Sequence, residues 1–125
     1  MRDSSRHTAS RCSEASDLDD PFLNRQSELL RALGHPIRLR IMQHLCDGEH
    51  CVCEFEPLLG LRQPNISQHL SILRAANLVN TRRDGLRVMY SVADPGILEI
   101  IDAVAGVVQR QGATLAAALS RGNAE

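Results

Sequence analysis

Apolar residues along this chain fall first at helical and then at strand intervals. Asp20-Pro21 offers an N-cap with proline in the first turn, and Phe22, Leu23, Leu29, Leu30 and Leu33 follow at helical spacing up to Gly34. Pro36 opens a second helix in which Ile37, Ile41 and Leu45 keep i, i+4 spacing, Leu39 and Met42 widen the stripe, and Asp47-Gly48 is the stop. A helix running through Pro57 would lose a backbone hydrogen bond, so the third helix is predicted from near Phe55. Cys51 and Cys53 then precede that helix or occupy its frayed start. Ile66, Leu70 and Leu73 predict a fourth helix from Gln63, joined to the third through Gly60-Leu61-Arg62.

After Ala76 the period shortens to two. Leu86, Val88, Tyr90 and Val92 alternate with Arg87, Met89 and Ser91, and a shorter run at Leu78-Val79 lies across an Asp84-Gly85 turn of the type I′ kind. Asp94-Pro95 starts a last helix whose stripe, Ile97, Ile100, Ile101, Val104, Val107 and Val108, is too broad for a small domain to bury alone. The first helix has the same excess, so both call for a second copy of the chain. The fold class is mainly α with a small β-hairpin: a winged helix-turn-helix, homodimeric. Residues 1–19 read as a flexible Ser-, Asp- and Arg-rich tail, 20–112 as the winged helix-turn-helix and dimerisation domain, and 113–125 as the helix end and tail.

Composition narrows the function. In 125 residues there are 14 basic side chains, all arginine, against 15 acidic ones, a net charge of −1 that excludes a uniformly basic coating protein. The aromatic set is Phe22, Phe55 and Tyr90, so an aliphatic core is expected. The longest apolar stretch, Ile97 to Val108, is broken by Glu99 and Asp102 and falls short of the roughly 18–20 residues of a membrane span. The first twenty residues hold no apolar block of the secretory kind, which points to the cytoplasm, where thiols stay reduced. The four cysteines then read as ligands, sensors or core fillers rather than as two disulfides.

Charge is unevenly placed. Between Arg62 and Tyr90 five arginines face one acid, Asp84, a local net of +4. Phosphate attraction supplies most non-specific DNA affinity, so this segment carries the footprint of a recognition helix with a basic wing. Gln63, Asn65, Ser67, Gln68 and Ser71 carry amides and hydroxyls suited to base edges in the major groove, while Arg74, Arg82, Arg83 and Arg87 suit phosphate or a minor groove. His69, about sixty degrees from the centre of the apolar stripe, reads as a boundary residue bonded within the fold.

These residues form a family pattern. The run from Gln63 to Arg74, QPNISQHLSILR, followed by Ala76-Asn77-Leu78-Val79 and the hairpin Arg82–Val92, resembles the ArsR/SmtB family of metalloregulatory winged-helix repressors. So do Ala32-Leu33-Gly34-His35-Pro36 and Arg38-Leu39-Arg40-Ile41, and the similarity spans about residues 25–100. The resemblance implies a homodimer built on the first and last helices that represses its own operon and leaves DNA when an inducer binds. A twofold protein calls for a near-palindromic operator with half-sites about 34–36 Å apart.

Cys51-Val52-Cys53 carries the sensing chemistry. Residues i and i+2 of a regular helix point about 200° apart, whereas an extended or distorted start lets both sulfurs chelate one ion. Thiolates select soft, thiophilic ions. Glu49, Cys51, Val52, Cys53 and Glu54 resemble the cysteine box of the arsenic-, antimony-, cadmium- and lead-responsive members, but the third cysteine of the arsenical pattern is replaced by Glu56. Cys12 in the tail is the first substitute, since the cadmium/lead-type members bring N-terminal cysteines to this box. Cys46, read as a core thiol beside Leu45, is the second, and His50, read as solvated, the third. Three sulfurs suit As(III) or Sb(III) as inducer, with Cd(II), Pb(II) or Zn(II) as alternatives. No histidine lies between Asp94 and Gln111, which argues against the His/carboxylate site on the last helix that the family's zinc, cobalt and nickel sensors use. A redox or persulfide sensor using two thiols stays open. Outside transcription, a thiol metal buffer would fit the cysteines but not the +4 segment. An enzyme finds no nucleophile–base pair, glycine-rich phosphate loop or His/Glu metal motif.

Overall fold

The computed structural model describes residues 19–123. Five α-helices and a small sheet follow in the order α1 Pro21–Leu33, α2 Pro36–His44, β1 His50–Cys51, α3 Phe55–Leu59, α4 Gln63–Ala75, β2 Val79–Asp84, β3 Arg87–Val92 and α5 Pro95–Asn123. The tail assigned to residues 1–19, with Cys12, lies outside the described residues except for Asp19.

Local chemistry sets the helix ends. Asp20 Oδ1 accepts from the Phe22 amide at 3.0 Å, and His35 Nδ1 from the Ile37 amide at 3.1 Å, each ahead of a proline whose missing N–H costs nothing there. α2 stops at His44 and Leu45–Asp47 forms a 3-10 turn, so the second helix is one short turn less than its apolar spacing predicts. That turn buries Leu45 and carries Cys46 to the surface. Cys46 is therefore exposed, which corrects its reading as a core thiol. At the other end of the chain, α5 continues as helix to Asn123.

The sheet has three strands in the order β1-β3-β2, all antiparallel. Periodicity does not reveal β1, since two residues carry no alternation. The hairpin loop is Gly85-Leu86, closed by the Asp84–Arg87 pair. Gly85 has φ +65°, but Leu86 does not share the left-handed region that a type I′ turn needs at both positions. The turn is of the II′ kind, with glycine first.

Buried side chains from every helix and from β2 meet in one core. Ile41, Met42, Phe55, Ile66, Leu70, Leu73 and Leu78 are all at most 1% exposed. The core is aliphatic save for Phe55 at its centre. On α4 the expected stripe, Ile66, Leu70 and Leu73, is the buried one. The broad stripe on α5 divides: Ile97 and Ile101 are buried, whereas Ile100, Val104, Val107 and Val108 stay exposed, as do Phe22, Leu23 and Leu30 on α1. Leu30, Leu39, Ile100, Val104 and Val108 line an apolar groove of about 460 Å³ between α1, α2 and α5. Among the described residues no helix is long and apolar enough to cross a membrane.

Candidate functional site

Cys51 is the last residue of β1, with extended backbone, and Val52–Glu54 turns at once into a 3-10 helix. This extended-then-tight geometry puts the Cys51 and Cys53 Cα atoms 5.2 Å apart with their sulfurs in bonding contact, a disulfide across one residue. The chain is extended and then tight where the sequence places a non-helical or frayed start, so the i, i+2 spacing does not part the sulfurs. Cys51 is buried and Cys53 exposed, so the pair is reached from one side.

Glu54 holds the segment in place. Its Oε2 accepts from the Cys51 amide at 3.2 Å while Cys51 Sγ accepts from the Cys53 amide at 3.2 Å, a reciprocal cap with sulfur in the role usually taken by a hydroxyl. Glu54 Oε1 lies 3.1 Å from His44 Nε2 and 2.9 Å from His50 Nδ1. His50, expected to be solvated, is half-buried because its other nitrogen bonds Asp47 Oδ1 at 2.6 Å and its ring packs on His44. The bond to Asp47 and then those to Glu54 push the His50 imidazole above its ordinary range. The His44 and then the His50 bonds hold the Glu54 carboxyl below its own.

Glu56 stands where the arsenical pattern has its third cysteine. Its Oε2 accepts from the Gln63 amide at 3.1 Å, so it caps the N-terminus of α4, where negative charge is favoured. The bond is not visible in the sequence, because Glu56 lies on α3, seven residues before Gln63, and meets the start of α4 only across the turn between the two helices.

Two links join the sulfur segment to the hairpin. His50 pairs with Tyr90 and Cys51 with Met89 of β3, making Cys51 itself a member of the wing sheet. Glu49 Oε2 and Oε1 accept from Arg82 Nε and Nη2 at 2.8 and 2.7 Å, a fork-to-fork pair on β2. The Arg82 bond holds the Glu49 carboxyl below its ordinary range. Neither link is visible in the sequence, because residues 49 and 82 are brought together only by the third strand.

The residues expected to meet DNA lie on α4 and the hairpin. Gln68 and Ser71 are exposed on the face of α4 opposite its buried stripe, with Asn65 on one flank and Gln63, Ser67 and Arg74 on the other. Gln63 Nε2 donates to Ser67 Oγ at 2.8 Å. Arg82 and Arg83 on β2 and Arg87 on β3 are exposed, Arg82 being the one bound to Glu49. His69 is the bonded boundary residue its angle predicts: Nδ1 lies 3.2 Å from Arg38 Nη1, and the ring packs on His35 with centroids 4.5 Å apart. Arg38 also donates to the Ala32 carbonyl, so this network ties α4 to the α1–α2 corner.

Known proteins share this fold and its helix-turn-helix sequence. Residues 35–81 match the family described as bacterial regulatory protein, arsR family. The chain is 40% identical over 104 residues to the HTH-type transcriptional repressor SmtB of Mycobacterium tuberculosis, covering 79% of this chain and 77% of that one. The crystal structure of Mycobacterium tuberculosis Rv0081 superposes with a TM-score of 0.69 at 34% identity, covering 76% of this chain and 96% of that one. The solution structure of the homodimeric winged helix-turn-helix DNA-binding domain Mb0332 from Mycobacterium bovis does so with a TM-score of 0.68 at 26% identity, covering 79% and 92%. With this fold, this helix-turn-helix and a relative of that identity and coverage, the chain belongs to the arsR family of bacterial regulatory proteins, DNA-binding transcriptional repressors rather than enzymes.

Proposed function

We propose that this repressor binds operator DNA as a homodimer and is released when a thiophilic ion, As(III) or Sb(III) first, binds the reduced sulfurs of Cys51 and Cys53. The observation that carries the reading is the placement of the sulfur pair on β1, hydrogen-bonded to the wing strand β3. An ion that fixes the angle between two thiolates changes the Cys51–Glu54 backbone. That change reaches the wing through the Cys51–Met89 pairing and reaches α3, which starts at Phe55. Gln63, Asn65, Ser67, Gln68 and Ser71 are assigned to base edges, and Arg74, Arg82, Arg83 and Arg87 to phosphate or the minor groove. The exposed apolar faces of α1 and α5 support a dimer built on those helices, as the homodimeric Mycobacterium bovis domain is a neighbour in fold. The third ligand is assigned to Cys12 from the tail, since Glu56 is engaged on α4. Couplings between sites of about 1–3 kcal/mol, which is 5- to 150-fold in affinity, suffice for release.

The sulfur contact favours one second reading: a redox switch in which an oxidant such as peroxide takes two electrons from the dithiol, closing the Cys51–Cys53 bond and forming water. Fluorescence anisotropy of operator DNA with the reduced protein, titrated with As(III), Sb(III), Cd(II), Pb(II), Zn(II) and peroxide, separates the two. Release by As(III) or Sb(III) at the lowest concentration supports the first reading. Release by peroxide alone supports the second, and release by none of them refutes both.

A further inference from the structure

Nitrogen and oxygen donors gather beside the sulfur pair without using it. His44 Nε2 and His50 Nδ1 lie 3.1 and 2.9 Å from one oxygen, Glu54 Oε1, and a ligand atom from each of the three residues falls within 4.8 Å of the others. Three separate pieces of chain deliver them: the end of α2, the first residue of β1 and the 3-10 turn after it. A tetrahedral ion with bonds of about 2.0–2.2 Å sets neighbouring ligands about 3.3 Å apart. The two contacts to Glu54 are within a few tenths of an ångström of that edge, and an ion takes the place of the protons in those hydrogen bonds while the two imidazole nitrogens, within 4.8 Å of each other, close on it.

Two further details fit a ligand site better than a chance cluster. The second nitrogen of His50 bonds Asp47 Oδ1 at 2.6 Å, the carboxylate–imidazole pairing that orients a metal-bound histidine and raises its basicity. The second oxygen of Glu54 accepts the Cys51 amide, which locks the carboxylate and leaves Oε1 turned toward the imidazoles. The site is half-buried, with side-chain exposures of 27%, 21% and 42% for His44, His50 and Glu54, so water can complete the coordination from the open side.

We propose that His44, His50 and Glu54 form a binding site for a borderline divalent cation of the Zn(II) type, held within one protomer by two imidazole nitrogens and one carboxylate oxygen and oriented by Asp47. The donor set separates it from the sulfur pair: imidazole and carboxylate suit Zn(II) or Co(II), while As(III) and Sb(III) take thiolates. It does not rest on the inducer assigned to Cys51 and Cys53, and its failure leaves that assignment standing.

The test uses Co(II) as a coloured stand-in on the full chain carrying Cys51→Ser and Cys53→Ser. One Co(II) per protomer is expected, with ligand-field absorption and no thiolate-to-cobalt charge transfer. His44→Gln and His50→Gln should each weaken binding by tenfold or more, and Asp47→Asn by about tenfold. Absence of binding, a charge-transfer band (which points to Cys12 or Cys46), or affinity unchanged in both histidine variants overturns the site. A second measurement guards against variants that misfold: imidazole ¹H–¹⁵N spectra of the unaltered chain with its Cys51–Cys53 bond closed, so that no thiolate there takes the ion, titrated with Zn(II). Shifts at His44 and His50 with His7, His35 and His69 unmoved support the site, and shifts confined to those other three overturn it.

Discussion

Replacing Glu49 with glutamine isolates the ion pair between the sulfur segment and the wing. Glu49 holds both Arg82 nitrogens at 2.7 and 2.8 Å, and a phosphate that recruits Arg82 must first displace that carboxylate. Glutamine keeps the shape and removes the charge, so Arg82 is freed for DNA. Each added phosphate contact steepens the salt dependence, log K against log salt, by about 0.9, so two protomers add about 1.8. Between 50 and 200 mM salt this amounts to an extra loss of about tenfold, which means correspondingly tighter binding at the low-salt end. Fluorescence anisotropy of operator DNA across that salt range reads the slope directly. The control is the same change made in an Arg82→Gln background, where the gain should vanish because the freed group is gone. If Glu49→Gln tightens binding equally with and without Arg82, the effect is general loss of negative charge. The proposed competition between Glu49 and phosphate is then wrong.

Three further outcomes are expected. Glu56→Ala removes the cap on the Gln63 amide and should cost about 1 kcal/mol in urea unfolding, with no loss at all contradicting that role. Ile100→Glu combined with Val104→Glu places charge on the exposed apolar face of α5 and should convert the proposed dimer to a monomer in sedimentation velocity; a parent and variant of the same mass reject the α1–α5 interface. Burial, helped by the neighbouring charges of His35 and Arg38, holds His69 below its ordinary value of 6.5. The unfolded chain therefore takes up a proton that the folded chain does not, so the His69 contribution is full above pH 6.5 and is lost as pH falls through the lowered folded value. Unfolding profiles against pH should be flatter in acid for His69→Gln, and an identical slope would remove His69 from the account.

Helices were legible because each carries its own signals. Asp20-Pro21, Pro36, Pro57 and the Ile66/Leu70/Leu73 spacing fix where helices start and which side is buried, and these depend on neighbours in sequence. The hairpin was legible for the same reason, although its turn type was not, since Gly85 alone supplies the positive φ. β1 was hidden because a two-residue strand has no period, and with it went the pairing that makes Cys51 part of the wing sheet. The sulfur pair itself could be found from residue type and spacing. Its surroundings could not: Glu49–Arg82, Glu56–Gln63 and the His44–Glu54–His50 contacts are made only when separate turns meet. Cys46 was misplaced because its neighbour Leu45 suggested burial, whereas the 3-10 turn after His44 buries Leu45 and leaves the thiol at the surface.

The most direct test of the central claim compares the fully reduced parent with its Cys51→Ser/Cys53→Ser variant on labelled operator DNA during titration with arsenite. The account predicts equal DNA affinity without arsenite, release of the parent with one As(III) bound per protomer, and a variant that stays bound throughout. If the variant leaves DNA at the same arsenite concentration as the parent, the sulfur pair is not the sensor.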